Sequence, residues 1–218
     1  MSAAGSRAAV LDRIRSATPD ASTHAHEEYE RIARGYRMSG NLTPRQCVEL
    51  MIERLREYDA EVVECGPCEL QAAIAAQIEK SGCRMLAAPR GLPREWMDAK
   101  FDWRVDHGLA HEEIEKAHGV VTAATCGVAE SGTIVLHHTP AEGRRVLTLL
   151  PDWHLCVLRQ SQVVETLPEY FKVCGGPAPA LATFISGPSA TADIEMTRIK
   201  GVHGPRFLNV IVVRDQLG

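Results

Sequence analysis

Cys65-Gly66-Pro67-Cys68 spaces two thiols as a dithiol redox site does, and the residues around it read as a strand running into a helix. A helix N-terminus favours the thiolate, which is the reactive form of cysteine. The neighbouring charges work the other way. Glu64 and Glu69 set carboxylates beside the two sulfurs, and the preceding aromatic residue and the proline roughly 40 residues downstream that complete such sites are missing. The pair reads as ordinary thiols, with thiol–disulfide exchange at Cys65 and Cys68 as the outlying alternative. His107, His111, Glu115 and His118 recur at i, i+4, i+8 and i+11, along one side of a helix. Two histidines at i, i+4 can chelate a transition metal. The same spacing serves equally as the polar border of an amphipathic helix, and no metal is assigned to it. An iron–sulfur cluster draws several closely spaced thiolates. The remaining cysteines (Cys47, Cys83, Cys126, Cys156 and Cys174) are single and distant, so a cluster held by this chain alone is not expected.

Two glycine-punctuated segments carry more chemistry. In the first, Glu130, Ser131, Gly132 and Thr133 stand at the entrance to the apolar run Ile134-Val135-Leu136. In the second, a strand ends at Ser186-Gly187-Pro188-Ser189, followed by Thr191, Asp193 and then His203 and Gly204. Free backbone N–H groups and hydroxyls at such a break can cradle an anion. A purely structural reading accounts for the same residues: Thr191 caps a helix over 192–200, Arg198 and Lys200 complement its C-terminus, Gly201 supplies a left-handed residue and Pro205 stops it. If strand ends converge on one crevice, Glu130, Ser186, Ser189, Thr191, Asp193 and His203 line a single pocket. Glu130 would then be a base or a hydroxyl acceptor, His203 would exchange a proton near neutral pH, and the amides around Gly187 and Ser189 would hold the anion. Other strand ends, such as Arg159-Gln160 and Ala88-Pro89, lack a comparable cluster of glycine, hydroxyl and acid.

These residues need elements to position them. Thr43-Pro44 is an N-cap followed by a first-turn proline, and Val48, Met51, Ile52 and Leu55 share one helical face behind it. Residues 60–64 read as a strand, 67–81 as a helix closed by Gly82, and 83–88 as a second strand, a βαβ order that implies a parallel sheet. Residues 109–118 and 164–173 read as helices; 120–124, 133–137, 146–150, 154–158, 183–185 and 207–213 read as strands. Residues 1–40 form a helical arm or linker, and 41–218 a single α/β domain.

The chain has 218 residues, and its 24 Lys and Arg against 28 Asp and Glu give a net charge of −4. Basic residues scattered among acids do not make the footprint that nucleic acid requires. No apolar run reaches the roughly 18 residues that span a bilayer. With seven cysteines, an odd number in a chain of this length, reduced thiols and a cytoplasmic protein are expected.

The segments AESGTIVL (129–136), PDWHLCVL (151–158) and ISGPSATADIEMTRIKGVHGPRFLNVIVV (185–213) closely resemble the lactate-utilisation protein C family, also called LutC/YkgG or LUD-domain proteins. The resemblance runs in element order over residues 45–213. It implies a fold like that of the NagB/RpiA/CoA-transferase group, and a cytoplasmic role in oxidising L-lactate to pyruvate beside partner proteins that carry iron–sulfur clusters. This chain would then bind a small anionic ligand or its partners and carry no cofactor alone. A free-standing CoA-transferase-like or nucleotide-binding enzyme using Glu130 is the alternative.

Overall fold

The computed structural model describes residues 3–18, 25–174, 181–192, 198–201 and 203–215. Two units separate by their internal contacts, Met1–Arg37 and Met38–Gly218. The first contains α1 (Ala3–Ala17) and α2 (Ala25–Arg31), with Arg15 paired to Asp12 and Arg34 stacked over the Tyr29 ring.

The second unit opens with α3 (Pro44–Glu57). Its start has the chemistry read from the sequence: the Thr43 hydroxyl accepts from the Gln46 amide while the Gln46 side chain accepts from the Thr43 amide. Then follow β1 (Glu61–Cys65), α4 (Leu70–Ser81), β2 (Met85–Pro89), β3 (Asp102–Asp106), α5 (His111–Glu115) and β4 (Gly119–Ala123). The chain continues through β5 (Cys126–Val128), β6 (Thr133–Leu136), β7 (Trp153–Arg159), β8 (Val163–Val164), α6 (Leu167–Val173), β9 (Thr183–Ile185), β10 (Ala190–Ala192), β11 (Arg198–Lys200) and β12 (Phe207–Val213).

Six of the strands make one fully parallel sheet in the order β1-β12-β7-β4-β2-β3. A parallel sheet must be covered on both faces, and the alternation along its strands shows how. On β12, Leu208, Val210 and Val212 pack with α3, whereas Ile211 and Val213 pack with α4. Cys156 and Leu158 of β7 follow the first set, Trp153, Leu155 and Val157 the second. A buried amide chain sits on the α4 side, where Asn209 donates to Gln77 and accepts from the Trp153 indole N–H, each at 2.9 Å. A second sheet, β8-β5-β6-β9, and the hairpin β10-β11 complete the unit.

Several elements differ from their sequence reading. Residues 146–150, expected as a strand, form a 3-10 turn over Arg145–Thr148. The helix expected over 192–200 is instead the antiparallel pair β10 and β11, with Thr191 opposite Ile199. Asp193 lies outside the described residues. β1 and β2 share a sheet but stand three strands apart, because β12, β7 and β4 fill the gap. The α5 helix spans only His111–Glu115, so His107 and His118 do not share its face; the His118 ring Nδ1 instead accepts from the Arg84 and Met85 amides.

Gly132 links the AESG segment to the fold. It has φ +60° and closes the 3-10 turn Ala129–Ser131 against α3, where a Cβ would fall 2.7 Å from Arg54 Cβ and 3.0 Å from the Arg54 carbonyl carbon. Gly82 has a similar φ of +74° with open space around it. Gly82→Ala is expected to cost about 1 kcal/mol from backbone conformation alone, and Gly132→Ala about 2–4 kcal/mol because the methyl also meets backbone. Urea unfolding of the two variants measures the difference; equal losses would show that the contact with α3 carries nothing.

Candidate functional site

Buried Glu142 fixes the loop from which the site is built. Its carboxylate accepts from the Thr125 hydroxyl at 2.6 Å and from the His137 and Thr139 amides at 2.7 and 3.2 Å. The loop that leaves β6 is thereby held against two strand ends of the main sheet. Ala123 at the end of β4 donates its amide to the Ala141 carbonyl, and Gly91, just past β2, donates to the Pro140 carbonyl. Gly91 allows that approach, since a Cβ there would lie 2.6 Å from Pro140. The loop ends at Gly143 (φ +76°) and delivers Arg144 and Arg145 in succession.

Arg144 is structural. It forks onto Asp106 at the end of β3 with two 2.7 Å hydrogen bonds and also donates to the Leu109 carbonyl. Burial opposes the charge on Asp106, but the Arg144 fork and the Gly108 and Leu109 amides outweigh it and hold the carboxyl below its ordinary range. Arg145 is different. Half-buried, it donates to the Thr148 hydroxyl at 3.0 Å and has no carboxylate partner among the described residues. Loss of water lowers its pKa from the ordinary guanidinium value. It remains a cation, and a poorly hydrated one.

Arg145 stands on the wall of two cavities. The smaller, about 240 Å³, is bounded by Thr148, His154 and the loop Ser186-Gly187-Pro188-Ser189, with His203 and Gly204 opposite. The larger, about 630 Å³, opens at the C-terminal ends of β2 and β3 between Arg90, His107, the 138–140 turn and Arg144.

The two glycine segments approach one another at their hydroxyls. β6 pairs with β9, the Thr133 hydroxyl lies 2.7 Å from that of Ser186, and Ser131 lies 2.8 Å from Thr133. Ser186, Gly187, Pro188, Ser189, His203 and Gly204 share the smaller cavity. Glu130, Ser131, Gly132 and Thr133 line neither cavity: Glu130 is exposed, and its amide donates to the Glu165 carbonyl. Thr191 sits in β10, paired with Ile199 of β11. The Ser189 amide is spent on the Pro205 carbonyl, and the Ser189 hydroxyl accepts from the His203 amide, so the loop is braced through that residue. Cys65 is buried, and burial first and Glu69 second push its thiol up, against a thiolate role.

Sequence reasoning missed the arginines. Arg90 follows the proline that ends β2, and Arg144-Arg145 follow a left-handed glycine. A cation just past the 83–88 strand was the available signal for Arg90, whereas Arg144 and Arg145 stand before a segment whose composition reads as a strand, and nothing in the sequence marked them.

The LUD domain profile matches residues 48–213. The chain belongs to the LUD domain family. Lactate utilization protein C of Deinococcus radiodurans is 38% identical over 164 residues, covering 74% of this chain and 76% of the relative. Its counterpart from Shouchella clausii is 37% identical over 192 residues, covering 78% and 77%. A crystal structure of a DUF162 family protein from Deinococcus radiodurans superposes with a TM-score of 0.69 at 33% identity, spanning 79% of this chain and 99% of that one. The family resemblance carried by AESGTIVL, PDWHLCVL and the 185–213 segment is thus borne out, and so is the α/β fold with a mainly parallel sheet flanked by helices. No helix among the described residues is long and apolar enough to cross a membrane.

His154 gives the smaller cavity a pH dependence. It is fully buried, its Nε2 lies 2.8 Å from the Thr122 hydroxyl, and burial, with Arg145 adding to it, brings its pKa down to about 4. The unfolded chain takes up this proton near 6.5, so between those values the unfolded state binds more protons and acidification favours it. From pH 7 to pH 5 the wild type is expected to lose about 2 kcal/mol more than His154→Gln, read from urea midpoints. Parallel pH profiles would show that the imidazole is accessible to protons in the native state.

Proposed function

We propose that this chain serves lactate utilisation as a cytoplasmic subunit or accessory of a system that oxidises L-lactate to pyruvate, and that its own part is to bind a small carboxylate in the smaller cavity. The observation that carries this reading is Arg145, a half-buried cation without an acid partner among the described residues, facing a space of about 240 Å³ beside the hydroxyls of Ser186 and Ser189. A guanidinium matches a carboxylate in charge and fork geometry. Neutral His154 and the Thr148 hydroxyl complete a polar floor of modest size. Support for the substrate comes from the relatives named lactate utilization protein C.

Converting lactate to pyruvate releases two electrons and two protons. In this reading the electrons pass to iron–sulfur clusters on partner proteins, and this chain supplies binding and orientation. Glu130 stands apart from the cavity, which favours the binding role over a CoA-transferase-like reaction at that carboxylate.

A strain lacking the gene, grown on L-lactate as carbon source, tests the reading. The wild-type gene should restore growth, Glu130→Gln should restore it fully, and Arg145→Gln should fail while the purified variant keeps its unfolding midpoint. Affinity for L-lactate or pyruvate should fall at least tenfold in Arg145→Gln, the equivalent of about 1.4 kcal/mol for one charge-assisted contact. Iron–sulfur proteins should co-purify from lactate-grown cells. Full growth with Arg145→Gln, or its loss with Glu130→Gln, overturns the assignment of the site.

A further inference from the structure

The larger cavity carries charge that a lactate-sized ligand does not explain. Among the described residues, three guanidinium groups, from Arg90, Arg144 and Arg145, line it against the single carboxylate of Asp106, leaving a formal charge of +2 in a chain whose net charge is −4. The Asp106 charge is already met by the Arg144 fork. Arg90, exposed just beyond β2, has no acid partner among the described residues. His138 does not add a free donor, because its Nδ1 must donate to the Gly143 carbonyl at 2.8 Å and its Nε2 meets the Thr183 hydroxyl at 2.9 Å. His107 is exposed at the rim.

The position of the cavity is as informative as its charge. From β2 the chain passes to β3 on one side, and from β4 it passes on to β7 on the other, so the strand order reverses between β2 and β4. In open parallel sheets the crevice at the carboxyl ends of such a pair is where ligands sit. Here the 138–145 loop closes over the β4 end through the Ala123–Ala141 hydrogen bond, so the cavity opens beside the reversal, at the ends of β2 and β3; the loop is held by Glu142, by the Gly91–Pro140 contact and by the Arg144–Asp106 fork. Its arginines are therefore presented by a braced backbone. At about 630 Å³ the space is in the range of a drug-sized or cofactor-sized ligand, and a three-carbon acid fills only part of it.

We propose that this cavity is a second site that binds a phosphate-bearing ligand, a phosphate ester or diphosphate on an organic body, with Arg90 and Arg145 taking the anion. A phosphate dianion matches the two guanidinium charges that no carboxylate neutralises, and the organic body occupies the remaining volume. The site shares Arg145 with the smaller cavity but rests on Arg90, which the carboxylate reading does not use.

Calorimetric titration of the full chain with inorganic pyrophosphate, ADP, succinate and L-lactate tests this. Pyrophosphate and ADP should both bind, Arg90→Gln should weaken both at least tenfold, Arg90→Lys should weaken them less, and L-lactate binding should be unchanged in either variant. Absence of pyrophosphate and ADP binding at millimolar concentration overturns the proposal. So does equal affinity in Arg90→Gln, and so does succinate binding as tightly with the same dependence on Arg90, which would assign the cavity to dicarboxylates. If L-lactate fails to bind the wild type while pyrophosphate binding depends on Arg90, the carboxylate reading fails and the phosphate site stands.

Discussion

A buried carboxylate met by three hydrogen-bond donors, and by no cation among the described residues, sets the geometry of this molecule's functional edge. Glu142 is removed from water, so its charge has to be met inside the protein, and the Thr125 hydroxyl and the His137 and Thr139 amides meet it. Those donors come from the strand junction before β5 and from the turn after β6. Satisfying one charge therefore ties the second sheet to the first and folds the 137–143 segment back over the strand ends. Each cavity wall supplied by that segment, including the placement of Arg144 and Arg145, follows from it.

The parts of the chain set by local chemistry were legible in the sequence. Thr43-Pro44 announced α3 because a hydroxyl acceptor and a donor-free first turn are local requirements, and Gly82 closed α4 because a left-handed residue was needed there. Failures fell where tertiary context decides. Asp102–Asp106 alternates charged and apolar residues at a sheet edge, so β3 lacks the continuous apolar run of a central strand. Val146-Leu147 has the composition of a strand, but both flanking segments are already committed, and the chain has room only for a 3-10 turn. The hairpin of β10 and β11 contradicts the helix suggested by Thr191, Arg198 and Gly201, because Ser189 bonds to both Pro205 and Gly201 and brings the two strands side by side.

The candidate site was legible in part for the same reason. Ser186 to Ser189 and His203 are near one another along the chain, and their loop was readable as one feature. Arg90, Asp106 and Arg145 are separated by long stretches and meet only because β2, β3 and the loop after β6 end at the same edge. The AESG and SGPS glycines are largely architectural. Gly132 and Gly187 both pack against the C-terminal end of α3, at Arg54 and Tyr58, and the hydroxyls of Ser131, Thr133 and Ser186 run as a chain along the joined edges of β6 and β9.

Among the described residues, the strand order also settles which backbone is left unpaired in the main sheet: β1 lies at one margin and β3 at the other. An open margin is a template on which another chain can add a strand, and proteins blunt it with charge. Both margins are charged here. Glu61 and Glu64 on β1 pair with Lys80 and Arg214, while Asp102 and Arg104 pair with each other along β3. A strand docking on either side would have to strip water from these ion pairs without replacing it. The alternation that hid β3 from a hydropathy reading is thus also what puts charge on the open margin of a sheet of very apolar central strands.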